Sequence, residues 1–410
     1  MSLNTTPTSE RIHIGIFGRV NAGKSSLINA MTNQTVSIVS PVEGTTTDPV
    51  QKAMELLPLG PVVLFDTPGL DDETELGKAR VDRAMDILRK TDIVVLVANA
   101  AHAPAKQDET LLNTAKEAGR PAVIALNKTD LPHPHMAVWE TLAETHGAAL
   151  IKVSALTGEG VQAFKEHLAA LKPQLQARPL ISDLVGAHEL CVLVVPVDSA
   201  APKGRLILPQ QQVIRDLLDH GAYALVTKDT EYPEALSRLQ QQPALVVTDS
   251  QVFGFVSEHT PASVKLTSFS ILFARYKGEI DTLIAGARAV EALQQGDAVL
   301  VCEGCTHHRQ CDDIGTVKIP QWMQAYTGKE LDFTFTSGKG FPKDLSGFKL
   351  IVHCGGCMLN EREMKARLLM AQQAGIPIVN YGVLIAHING ILQRSVAPLG
   401  IRLSDAASDA

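Results

Sequence analysis

The stretch GRVNAGKSS, Gly18 to Ser26, constrains this chain more than any other. It has the spacing G-x-x-x-x-G-K-S, follows an apolar run, Ile12 to Phe17, that reads as a buried strand, and opens a helix predicted from about Lys24 to Met31. Glycine tolerates backbone angles closed to other residues, so successive amides in such a turn can point inward and join the helix N-terminus in facing an anion. Asn21, Ala22, Gly23, Lys24, Ser25 and Ser26 are therefore the expected cradle for a nucleotide's phosphates. Lys24 is placed to reach the β- and γ-phosphates and Ser25 to hold Mg²⁺.

Further signals follow in a fixed order. PVVLFDTPG reads as a strand ending at Asp66, whose carboxylate can hold Mg²⁺ through water, with Gly69 free to offer its amide to a γ-phosphate. Strands are expected at 93–98 and 121–126, the second delivering Asn127, Lys128, Thr129 and Asp130. A carboxylate at Asp130 can accept both N–H groups of guanine's Watson–Crick edge, a pair that adenine lacks. Ser154 and Ala155, after a strand at 149–153, can close over the base. The set resembles the guanine-nucleotide-binding domain of translation-factor-type GTPases, here spanning residues 8–172.

Within those GTPases, GRVNAGKSS and the loop Gly44-Thr45-Thr46-Thr47-Asp48 are similar to the TrmE/Era branch. That resemblance implies that Asn21 helps bind a K⁺ ion standing in for an arginine finger, and that Thr46 is a Mg²⁺ ligand. Leu70 follows D-T-P-G where Ras-type enzymes carry a catalytic Gln. The acidic segment Asp71, Asp72, Glu73 and Glu75 either orients water in its place or is a solvated switch loop. Slow intrinsic GTP hydrolysis, faster with K⁺, is the expectation, with no general base identified.

A chain of 410 residues exceeds one compact domain. A net charge of −7 argues against a dominant nucleic-acid surface. Six cysteines are too few for a disulfide framework, and five fall in the last third, which points to metal or redox chemistry in a reducing compartment. No signal peptide or membrane-length apolar run is read, so the expected location is cytoplasmic, with no membrane partner. The fold class expected is α/β throughout: a P-loop GTPase domain, a small α/β domain at 180–262, and a Rossmann-like α/β domain at 263–402. The middle domain carries no cluster of catalytic residue types and is read as a spacer or dimerisation domain, with Cys191 a packed small hydrophobe.

In the last domain two thiol groups end apolar runs. Ala298 to Val301 leads into Cys302-Glu303-Gly304-Cys305-Thr306-His307-His308, and Lys349 to Val352 leads into His353-Cys354-Gly355-Gly356-Cys357. Strand–helix alternation implies a mostly parallel sheet, whose ligands bind at the strands' carboxyl ends, so the two groups are expected to form one site. Zinc on two C-x-x-C pairs, an iron–sulfur cluster and a redox dithiol at Cys354 and Cys357 all remain open on the residues alone.

The pattern Cys305-x-His307 followed at a distance by His353-Cys354-x-x-Cys357 resembles the signature of the HydF family of [FeFe]-hydrogenase maturation GTPases. The resemblance implies a [4Fe–4S] cluster on Cys305, Cys354 and Cys357, with one iron left to an exchangeable ligand. It also implies a homodimer or larger assembly that receives a 2Fe subcluster, works with two radical-SAM maturases and passes its cargo to apo-[FeFe]-hydrogenase. His307 and His353 are candidates for the exchangeable position or for hydrogen bonds to cluster sulfurs. Cys302 is either a fourth thiolate or a packed strand residue, and Cys311 lines the pocket or begins a loop. The competing reading is a TrmE/Era-like RNA-modification or ribosome-assembly GTPase with a structural zinc.

Overall fold

A computed structural model of the chain describes residues 7–32, 50–67, 69, 84–171, 179–196, 206–278, 280–304, 313–338 and 340–403. Its contacts divide into two compact units, Met1–Gln176 and Ala177–Ala410.

In the first unit, six strands form one sheet: β1 (Ile12–Phe17), β2 (Val50–Leu56), β3 (Gly60–Asp66), β4 (Ile93–Asn99), β5 (Ala122–Asn127) and β6 (Ala149–Lys152), in the order β2-β3-β1-β4-β5-β6. Only β2 runs antiparallel, against β3. The central strands read as unbroken apolar runs because helices cover both faces. Along β4, Ile93, Val95 and Val97 enter one core, while Val94, Leu96 and Ala98 enter the other. This period of two leaves no polar face, and the strand ends become the places where function can sit. β1 pairs with β3 on one side and β4 on the other. The chain therefore changes direction across the sheet beside β1, and the carboxyl end of such a switch point is where ligands bind in sheets of this kind.

The second unit holds two fully parallel four-stranded sheets. The first comprises β7 (Leu190–Val194), β8 (Tyr223–Thr227), β9 (Leu245–Thr248) and β10 (Lys265–Ser268), ordered β10-β9-β7-β8. β10 pairs in register with β9, Lys265 opposite Leu245 through Ser268 opposite Thr248. β10 lies beyond the 262/263 boundary expected from the sequence and belongs to the middle sheet. Buried Cys191 sits in β7, within the core formed by that sheet and the helix Phe269–Lys277.

The second sheet comprises β11 (Ala298–Glu303), β12 (Asp332–Ser337), β13 (Leu350–His353) and β14 (Ile378–Asn380), ordered β12-β11-β13-β14. The chain passes from β11 outward to β12, then returns to the opposite side for β13, so the switch point lies between β11 and β13. In parallel sheets this is where ligands bind. Val192, Val194 and Val246 of the middle sheet share one apolar cluster with Val299, Val301 and Val352 of the last, so the two sheets of this unit are built on a continuous core.

Candidate functional site

In the first unit the phosphate loop leaves β1 and enters the helix Lys24–Thr32. Asn21 lies at φ +60° and Gly23 at +95°, both left-handed. A Cβ on Gly23 would stand 2.2 Å from Asn127 Nδ2, so only glycine lets the loop approach that amide so closely. Asn127, buried at the end of β5, donates from Nδ2 to Ala22 O at 3.0 Å and accepts at Oδ1 from the Ala155 amide at 3.0 Å. One side chain thereby ties together the phosphate loop and the Ser154–Ala155 segment.

Lys24 Nζ donates to Gly18 O at 2.9 Å and Arg19 O at 3.0 Å, holding its charge over the loop. Ser25 Oγ donates to Asp66 Oδ2 at 3.1 Å, so the two expected Mg²⁺-binding groups converge. Burial raises the Asp66 carboxyl's pKa, with Ser25 and Lys24 acting against the rise. Magnesium between these two oxygens would be attracted by the carboxylate charge and would replace their hydrogen bond. Ser154 Oγ donates to Asp130 Oδ1 at 2.6 Å, orienting an otherwise exposed carboxylate. Lys128 takes φ +64° beside it. Gly69 packs against Val20, and Ser26 is exposed on the helix. Thr46, Leu70, Asp71, Asp72, Glu73 and Glu75 lie outside the described residues.

In the second unit the two thiol-bearing strands are adjacent. Cys302 on β11 is paired with His353 on β13, and the Cys354 amide continues the ladder to Cys302 O at 2.8 Å. Both chain segments then leave the sheet at the switch point. Cys354 Sγ accepts from the Gly304 amide at 3.0 Å and the Gly356 amide at 3.4 Å. Two backbone dipoles aimed at one sulfur favour a thiolate, as a metal or cluster ligand requires. In the protein as it stands, burial outweighs them and pushes the Cys354 thiol up to about 11. Burial also raises Cys357, whereas the Lys277 charge opposes the rise. Gly356, at φ +62°, closes the turn between the two cysteines.

His353 is fully buried and both of its ring nitrogens are engaged. Nδ1 donates to Cys354 O at 2.7 Å, and Nε2 accepts from Arg367 Nη1 at 2.9 Å. Arg367 is itself held by Gly338 O, Glu363 and the face of Phe341. In this arrangement neither ring nitrogen of His353 has a lone pair left to offer, and the ring supports the turn from beneath. Cys302 is buried within β11, where its Sγ accepts from Thr336 Oγ1 at 3.3 Å, so it is a packed strand residue. Burial pushes its thiol up to about 11.

Cys305, His307 and Cys311 lie outside the described residues, among which no three ligating side chains converge on a common point. The described portion still fits a thiolate-held metal group: two strand ends at a switch point, paired amides on one sulfur, and a glycine turn presenting a second. Sequence reasoning missed Arg367, because it lies on the helix Glu361–Gln373, whose charged residues suggest a solvated face. Lys277 and Tyr381 were missed too, the latter buried near Cys354 and Glu303 with its phenol pKa raised by burial and those charges.

Comparison with known proteins finds matches to three successive segments of the chain. Residues 13–128 match the family model described as 50S ribosome-binding GTPase, 180–278 the Hydrogen maturase F dimerization domain, and 281–398 the Hydrogen maturase F tetramerization domain. GTPase Era of Synechocystis sp. is 35% identical over 163 residues, covering 38% of this chain and 51% of that protein. The tRNA modification GTPase MnmE of Streptococcus thermophilus is 34% identical over 163 residues, covering 40% of this chain and 34% of that one. The chain thus spans about half the length of the first relative and a third of the second. Among solved structures, Era of Aquifex aeolicus bound to GDP and AlF₄⁻ aligns over 53% of this chain and 92% of its own, at a TM-score of 0.34 and 18% identity.

Proposed function

Because the chain belongs to the HydF family of hydrogenase maturases, joining that family's two assembly domains to a P-loop GTPase domain, we propose that it is a GTP-hydrolysing scaffold that holds a [4Fe–4S] cluster on Cys305, Cys354 and Cys357. Its cargo on this reading is the 2Fe subcluster of [FeFe]-hydrogenase, received with the help of two radical-SAM maturases and delivered to the apo-hydrogenase. The observation that carries the cluster assignment is Cys354 Sγ, which accepts two amides at the switch point of a parallel sheet.

The G domain's residues divide the work of binding GTP. The phosphate loop and Lys24 neutralise the phosphates, Ser25 and Asp66 hold Mg²⁺ with Thr46, and Asp130 reads guanine. Asn21, already in a left-handed turn, is the residue for K⁺, and hydrolysis is expected to run faster in K⁺ than in Na⁺. Nucleotide state then governs partner docking or cargo release through the switch loops. Dimerization and tetramerization matches support an oligomer as the working form.

In the second unit, the chain's contribution is to present thiolates and fix their backbone. The cluster, when bound, supplies an iron with an exchangeable position for cargo. Described groups nearby have other tasks: His353 is a framework residue, and Cys302 is packed under the site.

Anaerobic reconstitution with iron and sulfide tests this reading. The expected result is a reducible cluster with an EPR signal, lost in Cys305→Ser, Cys354→Ser and Cys357→Ser and retained in Cys302→Ser. Stoichiometric zinc uptake with no cluster signal would instead favour a structural metal.

A further inference from the structure

At the carboxyl edge of β11, β13 and β14 the strand register lines up one more group with the thiols. Cys302 on β11 stands opposite His353 on β13, and His353 opposite Asn380 on β14. One step further along each chain, Glu303, Cys354 and Tyr381 are therefore level with one another. Tyr381 opens the helix Tyr381–Ile388 and is pinned there by buried Asn380. That side chain accepts at Oδ1 from the Val383 amide at 2.8 Å and donates from Nδ2 to Ser270 O at 3.2 Å.

The Tyr381 ring belongs to the apolar core of this unit, and only 8% of the residue is exposed. Its oxygen nevertheless has no hydrogen-bond partner among the described residues. The phenol lies close enough to Cys354 and Glu303 to feel their charge. A Cβ on Gly315 would stand 2.3 Å from Tyr381 Oη and 2.8 Å from Glu303 Oε1, so residue 315, having no side chain, passes both oxygens closely. Leaving a buried hydroxyl unpaired is costly, and a phenylalanine would fill the same space without that cost. The oxygen is thus suited to a partner that arrives with a ligand. A phenol keeps its proton at neutral pH and offers one O–H donor. Thiolates and inorganic sulfides only accept, and Cys354 Sγ already collects the Gly304 and Gly356 amides. The phenol adds a third donor at the same strand end.

We propose that Tyr381 donates its O–H to a sulfur of the cluster held at Cys354 and thereby raises that cluster's reduction potential. This rests on the cluster reading above. One electron, taken from dithionite in the titration, adds to the cluster and makes its sulfurs more negative. No bond to iron changes, and the proton stays on Oη. A donor aimed at those sulfurs favours the reduced state.

The test compares the full chain with Tyr381→Phe, which keeps the ring and removes only the oxygen. In an EPR-monitored titration of the reconstituted cluster, the variant should disfavour reduction about fivefold, or ~40 mV for a one-electron couple. Urea unfolding of the iron-free chain supplies the second readout. With no ligand present to accept the bond, Tyr381→Phe should leave the midpoint unchanged or raised, whereas loss of a hydroxyl that serves the fold would lower it. An unchanged or raised potential overturns the proposal, and so does a lowered iron-free midpoint. A wild-type chain that takes up no cluster overturns the cluster reading, and this inference with it.

Discussion

Asn127 Nδ2 donates to the carbonyl oxygen of Ala22 at 3.0 Å, binding the end of β5 directly to the phosphate loop. The same amide's Oδ1 holds the Ala155 N–H, so the phosphate loop, β5 and the segment after β6 meet on one buried side chain. Such a bracket makes the two halves of a nucleotide site interdependent: displacing either end leaves a polar group without its partner.

Asn127→Ala removes both bonds and exposes that dependence. Leaving buried backbone groups unsatisfied costs about 1–3 kcal/mol. If nucleotide binding bears half of this, GDP should dissociate about two- to tenfold faster. Stopped-flow release of a fluorescent GDP, paired with urea denaturation of the nucleotide-free chain, checks both consequences. Wild-type values in both experiments would show that the bracket carries no energy.

Asp130 can be tested separately, because the role proposed for it is selection rather than assembly. Its Oδ1 is oriented by Ser154 Oγ at 2.6 Å while the rest of the carboxylate remains open to a base. Asp130→Asn presents a donor where guanine also has donors, and GTP affinity should fall by up to ~10⁴-fold. Xanthine carries an acceptor at the altered position, so XTP should gain. Competition binding of the two nucleotides measures the switch, and undiminished GTP affinity would remove Asp130 from the base site. Ser154→Ala should weaken GTP binding modestly without reversing the preference.

The nucleotide site was legible in the sequence because each of its parts is local: a glycine turn between a strand and a helix, and short polar stretches at the ends of apolar runs. Adjacency of the two thiol segments was legible for a similar reason, since strand–helix alternation dictates a parallel sheet and puts both strand ends on one edge. β10 was not legible as part of the middle sheet. Lys265-Leu-Thr-Ser268 is too short and polar to show a period, and its place is fixed by pairing with β9. The roles of His353, Arg367 and Lys277 depend on contacts across the fold. Arg367 meets His353 fourteen positions away, and Lys277 meets the carbonyls of Gly356, Cys357 and Leu359 about eighty positions away. A charged residue in a helix reads as solvated until the tertiary structure buries it, so sequence patterning had no means of separating Arg367 and Lys277 from surface groups.

His353 gives that buried network a pH signature. Its partners fix the neutral ring with the proton on Nδ1, because Nε2 must accept from Arg367. Burial first, and the Arg367 charge second, lower its pKa from 6.5 to about 4. An unfolded chain takes up a proton near pH 6.5, whereas the folded chain resists it until about pH 4. The unfolded state therefore binds more protons between those values, and stability falls as the pH drops through them. The contribution is complete above pH 6.5, and by pH 5 about 2 kcal/mol of it should be lost. His353→Gln keeps an acceptor for Arg367 and a donor for Cys354 O but cannot titrate. Urea midpoints of the metal-free protein at pH 7 and pH 5 should show a smaller loss in the variant than in wild type. Equal losses would mean that His353 is already charged in the folded protein or that its burial does not persist in solution.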